Sequence, residues 1–113
     1  MIKIKRAYED YADDDGFRVL VDRLWPRGLS TAGAHIDLWL KDVAPTADLR
    51  KWFSHAPDRW AEFRRRYRHE LGDRADDLTE LKHKAGHGTV TLIYAAKDVE
   101  HNNAVVLKEV LDA

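Results

Sequence analysis

The chain has no cysteine among its 113 residues. Disulfides, thiolate catalysis and Cys-ligated zinc or iron–sulfur centres are therefore excluded. It also lacks an excess of charge of one sign: 19 Lys and Arg against 20 Asp and Glu leave a formal net charge of -1. Such a balance gives no global pull toward nucleic acid or a membrane surface, so an electrostatic partner has to be sought in local patches. No apolar run approaches the roughly 20 residues of a membrane span. The opening MIKIKRAYED has no continuous apolar stretch of the kind a secretory signal needs. Repeats, linkers and low-complexity tracts are missing too. The expectation is one cytoplasmic domain spanning residues 1–113, with no membrane partner.

What is present is a globular mixture, 44% hydrophobic and 35% charged. Ile2 and Ile4 alternate with lysines as in a half-buried strand. Asp13-Asp14-Asp15-Gly16 has the composition of a calcium loop without its ligand spacing or closing Glu, which leaves a solvated turn. A second strand is expected over 17–24, ended by Pro26, which cannot donate to a ladder. Ser30 is placed to cap one helical turn through Ala34. Residues 36–43 suit a third strand or an amphipathic helix equally.

The middle of the chain reads as helical. Thr46 is an N-cap candidate, and Leu49, Trp52 and Phe53 form an apolar stripe. Pro57 fits a first helical position, followed by Trp60, Phe63, Tyr67 and Leu71 at helical spacing. Asp73 opens a further helix, for which Gly86 supplies a left-handed stop. Thr89–Ala96 is nearly apolar throughout, as in a central strand covered on both faces. Asp98 then caps a last helix with Ala104, Leu107, Val110 and Leu111 inward. These elements predict an α/β fold: a compact three-layer domain with a small, mostly parallel sheet and helices on both faces.

Ligands of open α/β sheets sit beyond the carboxyl ends of the strands, often against the N-terminus of a following helix. Two segments stand there. VDRLWPRGLS offers Asp22, Arg23, Trp25 and Arg27. The run from Tyr94 through Ala95, Ala96, Lys97, Asp98 and His101 to Asn102 and Asn103 offers a cation, an acid, a group that exchanges protons near neutral pH, and two amides. If the strands are parallel neighbours, Arg23, Arg27 and Lys97 surround one pocket suited to a phosphate or carboxylate. Trp25 and Tyr94 flank it, Asn102 and Asn103 orient the ligand, and Asp22 bonds a guanidinium to fix the cations. Hydrolysis or group transfer is the chemistry such a set could perform, with Asp22 or Asp98 as base and His101 as acid. The plainer reading makes Asp98 a cap, Trp25 a core residue and Pro26-Arg27-Gly28 a turn.

The Arg-rich helix 57–71 carries the alternative. Between residues 50 and 69, seven Lys/Arg face two Asp/Glu. A basic helix interleaved with aromatics can track a phosphate backbone as a nucleic-acid or protein interaction module. Glu62–Arg66 and Arg66–Glu70 spacings favour a solvated, salt-bridged face instead. No cofactor is indicated, and the six histidines do not suggest a metal site.

The stretches DGFRVLVDRLWPRGLS, IDLWLKDVAP, LRKWFSH, RWAEFRRRYRHEL and VTLIYAAKDVEHNNAVVLKEVL resemble, in order and over nearly the whole chain, the bacterial family called domain of unknown function 488, in its short YeaO-like branch. The resemblance implies one compact α/β domain and marks Asp22–Gly28 and Tyr94–Asn103 as family motifs. It implies no particular reaction. Longer family members carry cysteines near the positions of Tyr94 and Asn102, and a His-Arg pair at Asn103 and Ala104. Any thiol or metal chemistry of theirs does not transfer to this chain. Residues 30–34, STAGA, are less charged than the short branch leads one to expect.

Overall fold

The computed structural model describes residues 1–54 and 56–113. Four strands, β1 (Ile2–Arg6), β2 (Phe17–Leu20), β3 (Leu38–Trp39) and β4 (Val90–Tyr94), form one sheet in the order β1-β4-β2-β3. Every pairing is parallel. The run around β4 behaves as its composition demands: all five residues are buried between two neighbours. The strand ends at Tyr94, before the small residues Ala95 and Ala96. β2 is shorter than the sequence suggests, ending at Leu20 with one further bond from the Val21 N–H to the Ile93 carbonyl, 3.1 Å. Residues 36–43 resolve into two-residue β3 and a 3-10 turn at Lys41–Val43.

Alternation along the strands sorts side chains to two unlike faces. Ile2, Val19, Val90, Leu92 and Tyr94 face the main core. It is closed by α2 (Ala47–Phe53), α3 (Trp60–Leu71), α4 (Ala75–Ala85) and α5 (Asn103–Asp112). Leu20 and Ile93 face a thinner layer built from Trp25, Leu29, Ile36 and Trp39. Within it lies the single-turn α1 (Thr31–Ala34), capped by the Ser30 hydroxyl accepting from the Gly33 N–H. The three layers of the α/β sandwich are thus unequal, four helices opposing one turn and its flanking loop.

Local chemistry accounts for most helix ends. Thr46 caps α2 through the Leu49 N–H, 3.2 Å. Its own N–H and hydroxyl donate to Glu70, at 3.0 and 2.7 Å. Glu70 is therefore committed to α2, where two donors converge, and does not pair with Arg66. Asp73 lies within a 3-10 turn, Gly72–Arg74, that carries α3 into α4 with little break. Gly86 closes α4 in right-handed rather than left-handed conformation, at φ -70°, because its N–H still reaches the Lys82 and His83 carbonyls. The cap of α5 is Asn102, not Asp98.

The acidic turn at 13–15 is not wholly solvated. Asp15 is 2% exposed and joins Arg18, equally buried, in an ion pair under the thin face. Lys5 donates to both Asp15 oxygens at 3.1 Å, and the Ala12 N–H adds a bond at 3.1 Å. Arg18 spends its remaining donors on the His35 and Ala34 carbonyls, at 3.0 and 3.1 Å. Burial alone would raise the Asp15 carboxyl, but the Ala12 N–H, Lys5 and Arg18 outweigh it and hold it below the ordinary carboxylate range. Gly16 permits the turn: its φ is +66°, and a Cβ there would stand 2.2 Å from the Thr89 carbonyl oxygen.

Candidate functional site

Because all four strands are parallel, their carboxyl ends share one edge of the sheet. Leaving β2, the chain passes to the thin face, whereas leaving β4 it passes to α5 on the helical face. Neighbouring strands whose exits diverge leave a crevice between them. Here that crevice is a cavity of about 890 Å³, walled by residues 22–27, the 95–98 loop, the start of α5 and one end of α2.

The expected pocket residues mostly assemble. Asp22, Arg23, Trp25, Arg27, Lys97, Asp98, Asn102 and Asn103 all line it. Two do not. Tyr94 is 2% exposed and packs in the main core, because it lies on the helical side of β4. His101 is absent from the walls; its ring turns to the edge of Trp60, with centroids 5.1 Å apart.

Several residues that do line the cavity are already engaged. Asp22 accepts from the Ala95 N–H at 2.9 Å and from Asn103 Nδ2 at 3.0 Å. The Ala95 N–H lies just past the end of β4, and Asp22 supplies its acceptor. Asp22 thus ties the β2 exit to β4 and α5, and these bonds replace the expected one to a guanidinium. Arg23 is instead steadied by the Ala44 and Pro45 carbonyls, at 3.3 and 3.4 Å. Asn102 uses both ends of its amide as a cap, accepting from the Val105 N–H and donating to the Asp98 carbonyl. Trp25 donates to the Leu29 carbonyl at 2.8 Å and meets Trp39 edge-on, so it is a fixed wall.

Asp98 organises the turn at 99–101. One carboxylate oxygen accepts from the Glu100 and His101 N–H groups, at 2.9 and 3.0 Å, and the other faces His101 Nδ1 at 2.9 Å. The Glu100 N–H and then His101 hold its carboxyl below the ordinary range. The Asp98–His101 pair is formed, but its imidazole lies outside the cavity. The proposed acid and bases are not gathered around one reacting atom.

Sequence reasoning missed Arg50 and Lys51, which join the wall from the end of α2; behind them the buried core rings Phe53 and Phe63, stacked at 4.4 Å, close the cavity's floor. Their spacing marked α2 and α3 as amphipathic, but nothing local indicated that α2 would end beside the 22–27 loop. Five cations therefore border the cavity: Arg23, Arg27, Arg50, Lys51 and Lys97. Among the described residues, none of the five forms an ion pair within 4.0 Å.

The α3 arginines differ. Arg65 and Arg66 both reach Glu62, the first at 2.7 Å and the second at 2.9 Å. Arg65 and Arg66 hold the Glu62 carboxyl at about 2. Arg64 and Arg68 share Glu109 of α5. On α4 and the turn after it, the HKAGH stretch sets His83 and His87 four residues apart, a ligand-like spacing the sequence reading passed over, and their rings lie 4.7 Å apart. No cluster of three or more potential metal ligands occurs among the described residues. No helix among them is long and apolar enough to cross a membrane.

Comparison with known proteins adds a family. Residues 1–113 match the family described as the inactive DUF488-N3 subclade. The uncharacterized protein Rv3073c of Mycobacterium tuberculosis is 43% identical over 111 residues, covering 98% of this chain and 93% of that one. The uncharacterized protein YeaO of Escherichia coli is 38% identical over 108 residues, 96% of this chain and 94% of its own. No solved structure matches.

Proposed function

This chain belongs to the inactive DUF488-N3 subclade, and from that premise we propose that it is a binding domain that takes a phosphate- or nucleotide-like small anion at the carboxyl ends of β2 and β4. The single observation that carries the reading is the charge of the cavity: five cations on its walls without an ion-pair partner among the described residues. Five cations around one cavity outnumber its two carboxylates, Asp22 and Asp98, and an anion would supply further counter-charge through charge-assisted hydrogen bonds. The positive end of α5 points the same way.

Binding without turnover fits the side chains better than catalysis. Asp22 and Asp98 are held by N–H donors, and His101 lies outside the cavity. The subclade's description as inactive agrees with that arrangement. The Arg-rich helix 57–71 is less suited to nucleic acid, since Glu62 and Glu109 already meet four of its arginines.

The test is thermal unfolding of wild type and Arg23→Ala against phosphate and mononucleotides. Wild type should gain stability with the anion, and Arg23→Ala should bind it at least about tenfold more weakly, or about 1.4 kcal/mol. No gain with any anion, or equal affinity in the variant, overturns the reading. An Arg23→Ala chain that does not fold makes that arginine structural, and Lys97→Ala then serves in its place.

A further inference from the structure

The right-handed conformation of Gly86 carries the helical path past the end of α4. Its φ and ψ are -70° and -16°, and the His87 N–H still bonds the Lys84 carbonyl at 3.1 Å. A left-handed stop would swing residue 87 off the helix. Instead His87 falls about one turn beyond His83, at the four-residue spacing where side chains of a helix meet. The two rings lie 4.7 Å apart and are inclined at 52°, so they are neighbours without being stacked. Imidazoles that share one ion through nitrogen bonds of roughly 2.0–2.1 Å have centroids about 5 Å apart.

His87 is also held in the manner of a ligand. Its Nδ1 lies 2.9 Å from the His83 carbonyl, which can only accept, so Nδ1 carries the proton and Nε2 the lone pair. A ring N–H donated to a backbone carbonyl is the common outer support of a metal-bound histidine. Neither ring nitrogen of His83 makes a hydrogen bond among the described residues. The local charge admits a cation. Lys84, between the two histidines, turns its ammonium to the Phe17 ring at 4.4 Å and to Glu80 at 3.8 Å. The carbonyl end of a helix favours positive charge.

We propose that His83 and His87 form a surface site for a divalent transition-metal cation of the Cu²⁺, Ni²⁺ and Zn²⁺ class. Imidazole nitrogen suits these ions, and Cu²⁺ heads their affinity order. No group of three or more protein ligands occurs among the described residues, so water fills the other positions and the ion remains exchangeable. Mg²⁺ and Ca²⁺, which take oxygen ligands, do not fit. Neither histidine lines the anion cavity, so the two sites stand or fall separately.

Isothermal titration of the full chain, free of any affinity tag, with Cu²⁺ and Mg²⁺ chlorides tests the site. Wild type should bind Cu²⁺ one to one and Mg²⁺ not at all. His83→Gln and His87→Gln should each weaken Cu²⁺ binding by at least about tenfold, since each removes one of two imidazoles. His69→Gln, at an exposed position of α3, should leave it unchanged. Both target histidines are exposed, so circular dichroism should report an intact fold in each variant. Pulsed EPR of the wild-type Cu²⁺ complex should count two imidazoles on the ion, a readout that needs no variant. A count of one overturns the proposal. So does Cu²⁺ binding that is absent, is matched by Mg²⁺, survives both substitutions or falls equally in His69→Gln.

Discussion

Strand β2 begins and ends beside clusters of charge that obey opposite rules. At its start, Arg18 is 2% exposed, and its donors go to Asp15 and the Ala34 and His35 carbonyls. Just beyond its end, Arg23 holds only two carbonyls at long range, and Arg27 is exposed beside an open cavity. A buried charge is tolerated when every donor and acceptor is met, so the first cluster is architecture. At the opening five cations outnumber the two carboxylates, Asp22 and Asp98, and none of the five forms an ion pair among the described residues, so the second cluster is the one proposed for a ligand. Completeness of pairing separates them, rather than residue type.

The comparison breaks most visibly at Asp15. Asp15→Ala leaves Arg18 and Lys5 without their carboxylate and should cost about 3–5 kcal/mol, read by urea denaturation. Lys97→Ala, at the other end, should stay within about 0.5 kcal/mol of wild type in the same assay. Similar losses at both ends would erase the distinction. Gly16→Ala should come next, at about 2 kcal/mol or more, because it combines positive φ with a clash on the Thr89 carbonyl.

Acid offers a subtler probe. The folded Asp15 carboxyl titrates below its unfolded value near 3.9, so its contribution is fully present above about pH 5. That contribution should be lost as pH falls through the folded value, lowering the urea midpoint between pH 5 and pH 2. A Lys97→Ala chain should show the same fall as wild type. The smallest effect is expected on α3: Arg65→Ala should change stability by under about 0.5 kcal/mol, since exposed pairs contribute little. A larger loss would mean that this surface is structural.

Much of this was legible in the chain itself. The apolar run at 90–94, the Thr46 and Ser30 caps and the aromatic stripe of α3 follow from local periodicity and short-range hydrogen bonding, which need no knowledge of the rest of the fold. Parallel strands then bring Arg23, Arg27 and Lys97 to one cavity. What stayed hidden depends on contacts distant in sequence. Asp15 looked like one of three solvated aspartates until Lys5 and Arg18 closed over it from two strands. Arg50 and Phe53 reached the cavity only through the packing of α2. Tyr94 and His101 fall outside the cavity because a strand's last residue and a turn's last residue face sides that motif spacing does not reveal.

The central claim, that the open end of β2 is an anion site and the α3 arginines are not, is tested most directly by soaking crystals in tungstate, a heavy phosphate analogue, and locating it by anomalous scattering. The account predicts tungstate in the cavity, within hydrogen-bonding reach of at least two of Arg23, Arg27 and Lys97. Tungstate on Arg64–Arg68, with that cavity empty, would contradict it.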